Sequence, residues 1–255
     1  MDGRLPEFLG IGVQKGGTTT LQRLLEQHPD LFLPRQKELH YFSLHYGKGE
    51  AWYRQQFADA NPDQRCGEIT PYYVFHPEAP ARMHALLPQA KLILLLRDPV
   101  ERALSQLAHS MRLGLEPLEL EEALAAEAQR LEGAEAVLAS ANGRHRSHQE
   151  HSYLARSRYE LQLERWSSVF PREQIFLRRS EELFEQPEQL WAELLEFLQI
   201  RTVPLPQQGR KAHVGAGALD DVAPERLAAV RAALREPLAT TYARLASDDG
   251  LSWTS

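Results

Sequence analysis

The sequence predicts an α/β fold, in which helices cover both faces of a central parallel sheet. Strand-like apolar runs alternate with amphipathic helical segments along the chain, and this is the order that parallel strands with crossover helices require. Lys91–Leu96, read as KLILLL, is the strongest strand signal, because a continuous apolar run is typical of a strand buried on both faces. A length of 255 residues suits one large domain, and we expect a single domain over residues 1–255.

The amino-acid composition argues against several classes of function. A net charge of −6, from 29 basic and 35 acidic residues, argues against a general nucleic-acid binder. We find no apolar run long enough to span a membrane, and Met1–Glu7 does not resemble a signal peptide. A single cysteine, Cys66, fits a reducing compartment, so we expect a cytoplasmic location.

The stretch Phe8–Leu21 carries the clearest functional pattern. Its apolar start predicts a buried strand over Phe8–Val13, and leucines at helical spacing predict a helix that ends at His28-Pro29. Between them lie Lys15, two glycines and three threonines. A glycine-rich turn that opens a helix presents free backbone N–H groups to an anion, and phosphate is the usual ligand.

The order of residues in this turn separates two kinds of phosphate loop. A nucleoside-triphosphatase loop places its lysine after the glycines and follows it with Ser or Thr for magnesium. Here Lys15 precedes Gly16 and Gly17, so the pattern disfavours a P-loop kinase. An ordinary strand-to-helix turn rich in glycine is the structural alternative.

The remaining elements follow from periodicity and from proline positions. In chain order we predict a short helix around Trp52–Phe57, a strand that ends near Ile69, a helix over Pro77–Leu87, the strand Lys91–Leu96, a helix over Val100–Met111, a surface helix over Leu118–Glu132, a long helix over Tyr153–Phe170, a strand over Gln174–Leu177, a helix over Pro187–Leu198 and two helices within about Pro224–Ala246.

Arg97 follows the KLILLL strand directly, and ligands of open α/β sheets bind at the carboxyl ends of the strands. Ser105 and His109 lie one turn apart on the helix that follows. Taken alone, Arg97 is better explained by an ion pair to Asp98 or Glu101 than by a ligand contact.

Two polar segments allow alternative interpretations. The segment Arg35–Phe42 mixes charged and aromatic residues without a clean period, which indicates either a loop over a site or a solvated turn with its aromatic residues in the core. His145, His148 and His151 lie three apart, but this spacing in a polar loop is usually accidental, and we expect no metal site.

With these segments placed, the chain resembles the sulfotransferases that use 3′-phosphoadenosine 5′-phosphosulfate (PAPS). It is most similar to the branch of heparan sulfate 3-O- and N-sulfotransferases and their bacterial relatives. The similar segments occur in the family's order, and they are Phe8–Leu21 in its KGGT form, Lys37–Phe42 against K/N-E-x-H-F-F, Glu68–Tyr72 against E-K-T-P-x-Y, Leu92–Ser105, Ser157–Leu198 and Arg210–His213 against a basic C-terminal loop.

The resemblance implies a P-loop-like sheet and PAPS as sulfate donor, with adenosine 3′,5′-bisphosphate as product and no metal. It implies that the donor is held by Lys15, Gly16, Gly17, Thr18, Thr19, Arg97, Ser105, Arg210 and Lys211. Lys15 would also neutralise the charge that develops on the leaving phosphate. The implied partner is an acceptor hydroxyl or amine, on a carbohydrate or a small metabolite.

For the base that removes the acceptor proton, the resemblance favours Glu38, with His109 as the rival because small-molecule sulfotransferases use a histidine. His40, Phe42 and Tyr72 are implied as acceptor contacts.

The sequence departs from the family pattern at two places. Ile69 stands where E-K-T-P-x-Y has lysine, and Arg210-Lys211 lacks the family's K-G order. The first departure keeps open a protein that binds PAPS or its bisphosphate product without transferring sulfate. A P-loop kinase-like enzyme is the other alternative.

Overall fold

A computed structural model describes residues 3–206 and 222–253, and its centre is a parallel sheet of five strands in the order β2-β3-β1-β4-β5. The strands are β1 (Phe8–Gly12), β2 (Leu31–Phe32), β3 (Arg65–Ile69), β4 (Lys91–Leu96) and β5 (Ile175–Arg179). The KLILLL strand pairs directly with β1, as Leu9 opposite Leu92 shows. All strand pairs are parallel. The predicted α/β fold is therefore confirmed.

Helices connect the strands and continue after the last one. They are α1 (Thr18–Leu25), α2 (Gly49–Gln55), α3 (Ala79–Leu86), α4 (Pro99–Arg112), α5 (Leu120–Arg130), α6 (Ala134–Leu138), α7 (Arg146–Glu150), α8 (Tyr159–Ser167), α9 (Glu182–Glu185), α10 (Pro187–Leu198), α11 (Pro224–Arg235) and α12 (Ala239–Asp248). Within residues 3–206 and 222–253, no helix is long and apolar enough to cross a membrane.

Both faces of the sheet are covered, which explains the unbroken apolar run of β4. Leu92, Leu94 and Leu96 point to one face, where they join a core with residues of α3, α8 and α12. Ile93 and Leu95 point to the other face and pack against α1 and α10. A third cluster joins α4, α5 and α11 beside the sheet. Because neighbouring residues of a strand face opposite sides, only a continuous apolar sequence satisfies both cores.

The long helix predicted over Tyr153–Phe170 is wrong in its first part. A 3-10 turn covers Ala155–Ser157, and the α-helix begins only at Tyr159. The carboxylate of Glu127 accepts the backbone N–H groups of Leu154 and Ala155, each at 2.7 Å. This contact between distant segments satisfies the backbone outside a helix, and the local sequence does not reveal it.

Candidate active site

The turn after β1 is shaped by its two glycines. Gly17 has φ 78° and Lys15 has φ 71°, so the chain passes twice through the left-handed region. A Cβ on Gly16 would lie 2.7 Å from the carbonyl oxygen of Leu95, which leaves no room for a side chain. The N–H of Gly16 donates to the carbonyl of Val13 at 3.0 Å. Gly16 therefore packs closely against β4, and its N–H group, predicted to bind phosphate, is used inside the turn instead.

The next two N–H groups remain available. Those of Gly17 and Thr18 find no acceptor in the described parts of the chain, and no side chain caps the start of α1. Orphan N–H groups at a helix N-terminus, together with the helix dipole, favour a bound anion. The turn is therefore built as an anion site.

A cavity of about 770 Å³ opens in front of this turn, at the carboxyl ends of the strands. It is lined by six of the residues that the sequence assigned to the donor, namely Lys15, Gly17, Thr18, Thr19, Arg97 and Ser105. Glu101, Ser180, Glu181 and Phe184 complete the far side. Residues from β1, β4 and α4 thus converge on one space, which we call the larger cavity.

Cations are crowded at the base of the larger cavity. Nη1 of Arg97 donates to the carbonyl oxygen of Lys15 at 3.4 Å. Burial lowers the pKa of Lys15, and the nearby charges of Arg97 and Arg112 lower it further. Positive groups that repel one another in a partly buried site are stabilised by an anionic ligand.

The segment Lys37–His40 also borders the larger cavity, through Lys37 and Glu38. Glu38 has φ 58° and His40 has φ 53°. A left-handed backbone is costly for residues with side chains, and such positions cluster at functional sites. Of the four non-glycine residues with positive φ in the described ranges, Lys15 and Glu38 line the larger cavity and His40 is two residues from Glu38, whereas Gln199 lies elsewhere.

A buried network holds this segment in place. The carboxylate of Glu68 accepts hydrogen bonds from the hydroxyls of Tyr53 at 2.7 Å, Tyr73 at 2.9 Å and Thr70 at 2.8 Å. The oxygen of Thr70 in turn accepts the backbone N–H of His40 at 3.4 Å. Burial raises the pKa of Glu68, against the opposing effect of the three hydroxyls. The E-x-T-P-Y segment thus positions the Lys37–His40 segment from beneath.

Glu38 presents its carboxylate to the cavity among cationic neighbours. Oε2 lies 3.5 Å from Nε2 of His40, and Oε1 lies 3.8 Å from Nζ of Lys37. Burial alone would raise the pKa of Glu38, but the hydrogen bond from His40 and the charges of Lys37 and Arg156 outweigh it and lower the pKa. The carboxylate is therefore ionised at neutral pH and able to accept a proton.

His109 also reaches the cavities, but its ring is differently engaged. Nη2 of Arg112 lies 2.9 Å from Nδ1 of His109. A guanidinium only donates, so Nδ1 accepts and a neutral ring carries its proton on Nε2. Burial lowers the pKa of His109, and Lys15 and Arg112 lower it further. In this tautomer Nε2 carries the proton and is a donor, so it does not act as a base.

A smaller cavity of about 210 Å³ adjoins the larger one. The two share Gln14, Glu38, Pro71 and His109 as lining residues. The smaller cavity is mostly polar, and the rest of its lining is His40, Tyr72, Gln106, Ser110, Leu115, Gln149, Glu150 and Arg156. Two of the predicted acceptor contacts, His40 and Tyr72, therefore lie in this cavity.

The third predicted acceptor contact, Phe42, does not lie there. Its side chain is fully buried and packs edge-on against the rings of Tyr53 and Tyr73. Phe42 is therefore a core residue, because its ring is needed to fill the space between α2 and the turn after β3. Ile69 also lines neither cavity, and it packs in the core with Phe8 and residues of α1.

Among the lining residues that were not assigned from the sequence, two are cations and one is an exposed aromatic residue. The ammonium of Lys37 donates to Oγ1 of Thr19 at 2.6 Å. Arg156 is 4% exposed and donates to Oε1 of Gln14 at 2.6 Å. Phe184 keeps 42% of its surface exposed on the wall of the larger cavity. Lys37 lay within a segment with a recognised pattern, whereas nothing local distinguished Arg156 or Phe184.

Two of the residues predicted to hold the donor belong to the basic loop near the C-terminus. Arg210 and Lys211, expected in the donor site, lie outside the described residues.

The three spaced histidines have protein partners: Nδ1 of His145 accepts the N–H of His148, Nδ1 of His148 contacts the hydroxyl of Tyr72 at 2.7 Å, and Nε2 of His151 contacts the carbonyl of Leu115. Within residues 3–206 and 222–253, no group of three or more His, Cys, Asp or Glu residues is arranged to hold a metal ion.

Comparison with known proteins gives the same family from sequence and from structure. The chain is 42% identical over 111 residues to the membrane-associated sulfotransferase kil1 of Dictyostelium discoideum. This match covers 42% of this chain and 24% of kil1. It is also 42% identical over 108 residues to human heparan sulfate glucosamine 3-O-sulfotransferase 6. This match covers 42% of this chain and 31% of that enzyme. The matched segments thus span about a quarter to a third of these relatives.

A solved structure matches over nearly the full length. The sulfotransferase from Alicyclobacillus acidocaldarius superimposes with a TM-score of 0.76 at 28% identity, over 96% of this chain and 95% of that one. The profile of the sulfotransferase domain matches residues 5–211, which is most of the chain. The chain therefore belongs to the sulfotransferase domain family.

Proposed function

We propose that this protein transfers a sulfuryl group from PAPS to a hydroxyl or amine of a polar acceptor, with Glu38 as the general base. The observation that carries the proposal is the junction of the two cavities. Glu38 lines both of them, and it shares the larger cavity with Lys15 and the anion-binding turn. A group bound in the larger cavity therefore meets a group bound in the smaller one beside a carboxylate.

The larger cavity suits a nucleotide with two phosphates. Its volume of about 770 Å³ lies within the range of roughly 300–1,000 Å³ that is usual for ligand sites. The N–H groups of Gly17 and Thr18 and the ammonium of Lys15 would hold the 5′-phosphate. Arg97 and Ser105 would hold the 3′-phosphate, for which a guanidinium offers two parallel donors. The exposed ring of Phe184 would support the adenine.

PAPS supplies an activated sulfuryl group, and the residues of this chain provide position and charge. Glu38 would take the proton from the acceptor oxygen as that oxygen bonds to sulfur. Lys15 would neutralise the phosphate oxygen that keeps the electron pair of the broken bond. Positioning and charge stabilisation of this kind account for most of the catalysis in enzymatic phosphoryl transfer, which is the closest chemical analogy to sulfuryl transfer.

The acceptor class rests on the smaller cavity and on the relatives. A volume of about 210 Å³ admits only the reacting part of a larger molecule, and polar side chains line most of it. The similarity to a heparan sulfate glucosamine 3-O-sulfotransferase supports a carbohydrate acceptor. A small polar metabolite fits the same cavity. We also keep a cytoplasmic location as a prediction, which rests on the lone cysteine.

The proposal is tested by binding and by transfer. Calorimetry should detect adenosine 3′,5′-bisphosphate binding with much higher affinity than ATP. Radiolabelled PAPS should then label at least one acceptor in a screen of oligosaccharides, phenols, lipids and peptides, with EDTA present. Tight bisphosphate binding without transfer to any acceptor would favour a binding protein without activity. A preference for ATP with a requirement for magnesium would favour a kinase-like enzyme.

A further inference from the structure

We infer that Lys37 is the cation that binds the sulfuryl group itself, in place of the lysine that this chain lacks at position 69. The inference rests on the proposed function, because it assigns a contact to the donor of that reaction. It is drawn from the position of the Lys37 ammonium and from the direction of the Ile69 side chain.

The ammonium of Lys37 bridges the two halves of the site. It donates to Oγ1 of Thr19 at 2.6 Å, on the first turn of the helix that opens the anion site. It also lies 3.8 Å from Oε1 of Glu38. Lys37 lines the larger cavity, and its side chain is 31% exposed, so it is neither buried nor free in solvent. A group that passes from the anion-binding turn towards Glu38 therefore passes this ammonium.

The side chain at position 69 is uncharged and does not line the larger cavity. Ile69 is the last residue of β3, and its side chain packs into the core with Phe8 and the leucines of α1. An ideal Cβ on Gly10 would lie 2.9 Å from Cγ1 of Ile69, so the side chain is held closely against β1. Ile69 therefore supplies no charge to either cavity.

Of the other cations of the site, Lys15 is assigned above to the 5′-phosphate, and two arginines have contacts of their own. Arg97 contacts the carbonyl of Lys15 at the base of the larger cavity. Arg156 donates to Ser152, Gln14 and the carbonyls of His148 and Gln149, which uses most of its N–H groups. Lys37 has three N–H donors, and its nearest partners are one hydroxyl and one carboxylate. It therefore keeps a donor for an oxygen of the sulfuryl group.

The step is balanced with Lys37 in this role. The acceptor oxygen forms a bond to sulfur, and the bond between sulfur and the bridging oxygen of the 5′-phosphate breaks. The electron pair of that bond stays on the phosphate, and the acceptor proton passes to Glu38. The three sulfuryl oxygens keep their negative charge throughout, and the ammonium of Lys37 binds them without itself losing a proton. A positive charge fixed beside these oxygens stabilises donor and transition state together.

The test compares two nucleotides that differ only in the sulfuryl group. Calorimetry is done with PAPS and with adenosine 3′,5′-bisphosphate, on the wild type, Lys37→Met, Lys37→Arg and the control Lys48→Met. Lys48 lies over the ring of Trp52 at 4.2 Å and lines neither cavity. We expect Lys37→Met to weaken PAPS binding by about tenfold or more and to leave bisphosphate binding nearly unchanged. Lys37→Arg should recover part of the loss, and Lys48→Met should bind both nucleotides as the wild type does.

The alternatives lead to different results. Equal weakening of both nucleotides by Lys37→Met would mean that Lys37 contacts the phosphate or merely supports Thr19, and unchanged affinity for both would mean that it contacts neither. Either result overturns the inference and leaves the proposed function in place. A wild type that binds neither nucleotide would instead refute the proposed function.

Discussion

Nη1 of Arg97, which follows β4, lies 3.4 Å from the carbonyl oxygen of Lys15, which follows β1. The two strands are direct neighbours in the sheet, so their carboxyl ends bring both residues to one edge. This contact joins the turn that would bind one phosphate to the side chain that would bind the other. The distance between the two proposed phosphate sites therefore depends on the pairing of adjacent strands.

The first prediction concerns this pair of sites. Adenosine 3′,5′-bisphosphate should bind far more tightly than 5′-AMP, because only the bisphosphate uses Arg97. Replacing Arg97 by Met should remove most of that preference, since a hydrogen bond to a charged group contributes about 1.5–3 kcal/mol. The control is Arg23→Met, an exposed position on α1 that lines neither cavity. Calorimetry that gives wild-type chain equal affinities for the two nucleotides would contradict the assignment.

The second prediction separates the two candidate bases. Glu38→Gln keeps the size of the side chain and removes its basicity, so turnover should fall by about 10²-fold or more while bisphosphate affinity stays nearly unchanged. His109→Ala should reduce turnover less, because Nδ1 of His109 is occupied by Arg112 and Nε2 carries the proton. Steady-state transfer from radiolabelled PAPS measures both. A dead His109→Ala beside an active Glu38→Gln would reverse the roles.

The third prediction follows from the lowered pKa of Glu38. A base works in its deprotonated form, so kcat/KM falls only when the pH drops through the pKa of this carboxyl. The pKa lies below the ordinary value of 4.5, because His40, Lys37 and Arg156 outweigh the effect of burial. We expect kcat/KM to show no loss from Glu38 protonation between about pH 7 and pH 5.

Removing one of these cations should move the acid limb. In Lys37→Met the pKa of Glu38 should rise, so the fall in kcat/KM should begin at a higher pH than in the wild type. Lys48→Met serves as the charge-matched control, since it removes a lysine outside the cavities. An acid limb that stays in place in Lys37→Met would show that Lys37 does not act on the ionisation of Glu38.

Much of the architecture could be predicted from the sequence, because the local patterns and the tertiary structure agree. KLILLL is a strand over the predicted residues, since burial on both faces allows no polar residue. The helix Pro187–Leu198 is also found with its predicted bounds, since proline begins it and the apolar spacing continues to its end. The predicted glycine-rich turn is also found, with Gly17 in the left-handed region at the start of α1.

The sequence was less informative wherever distant segments meet. The cation of Arg156 reaches the site from the segment before α8, and its partners Gln14 and Ser152 are far apart in sequence. Phe42 looked like a ligand-stacking ring, but the core between α2 and β3 needs it. Only tertiary packing decides whether an aromatic side chain such as that of Phe42 contacts a ligand or fills the core.

The last prediction concerns stability in acid. The side chain of Glu116 is fully buried and accepts hydrogen bonds from Nη1 and Nη2 of Arg130 at 2.6 and 3.0 Å and from the hydroxyl of Tyr153 at 2.7 Å. Burial alone would raise the pKa of Glu116, but these hydrogen bonds outweigh it and lower the pKa to about 2. Because the folded pKa is depressed, the stabilisation is complete above the unfolded value of about 4.5 and is lost as the pH falls towards 2.

Glu116→Gln should therefore lower the free energy of unfolding at pH 7 by on the order of 3 kcal/mol, since it breaks a buried ion pair. The difference from the wild type should shrink as the pH falls from 4.5 towards 2, because the wild-type carboxyl then becomes neutral as well. Urea unfolding of both proteins at pH 7 and at pH 3 measures this change. Glu164→Gln, at an exposed position of α8, is the control and should behave as the wild type at both pH values. A difference between Glu116→Gln and the wild type that is equally large at pH 7 and pH 3 would show that the charge of Glu116 is not its cause.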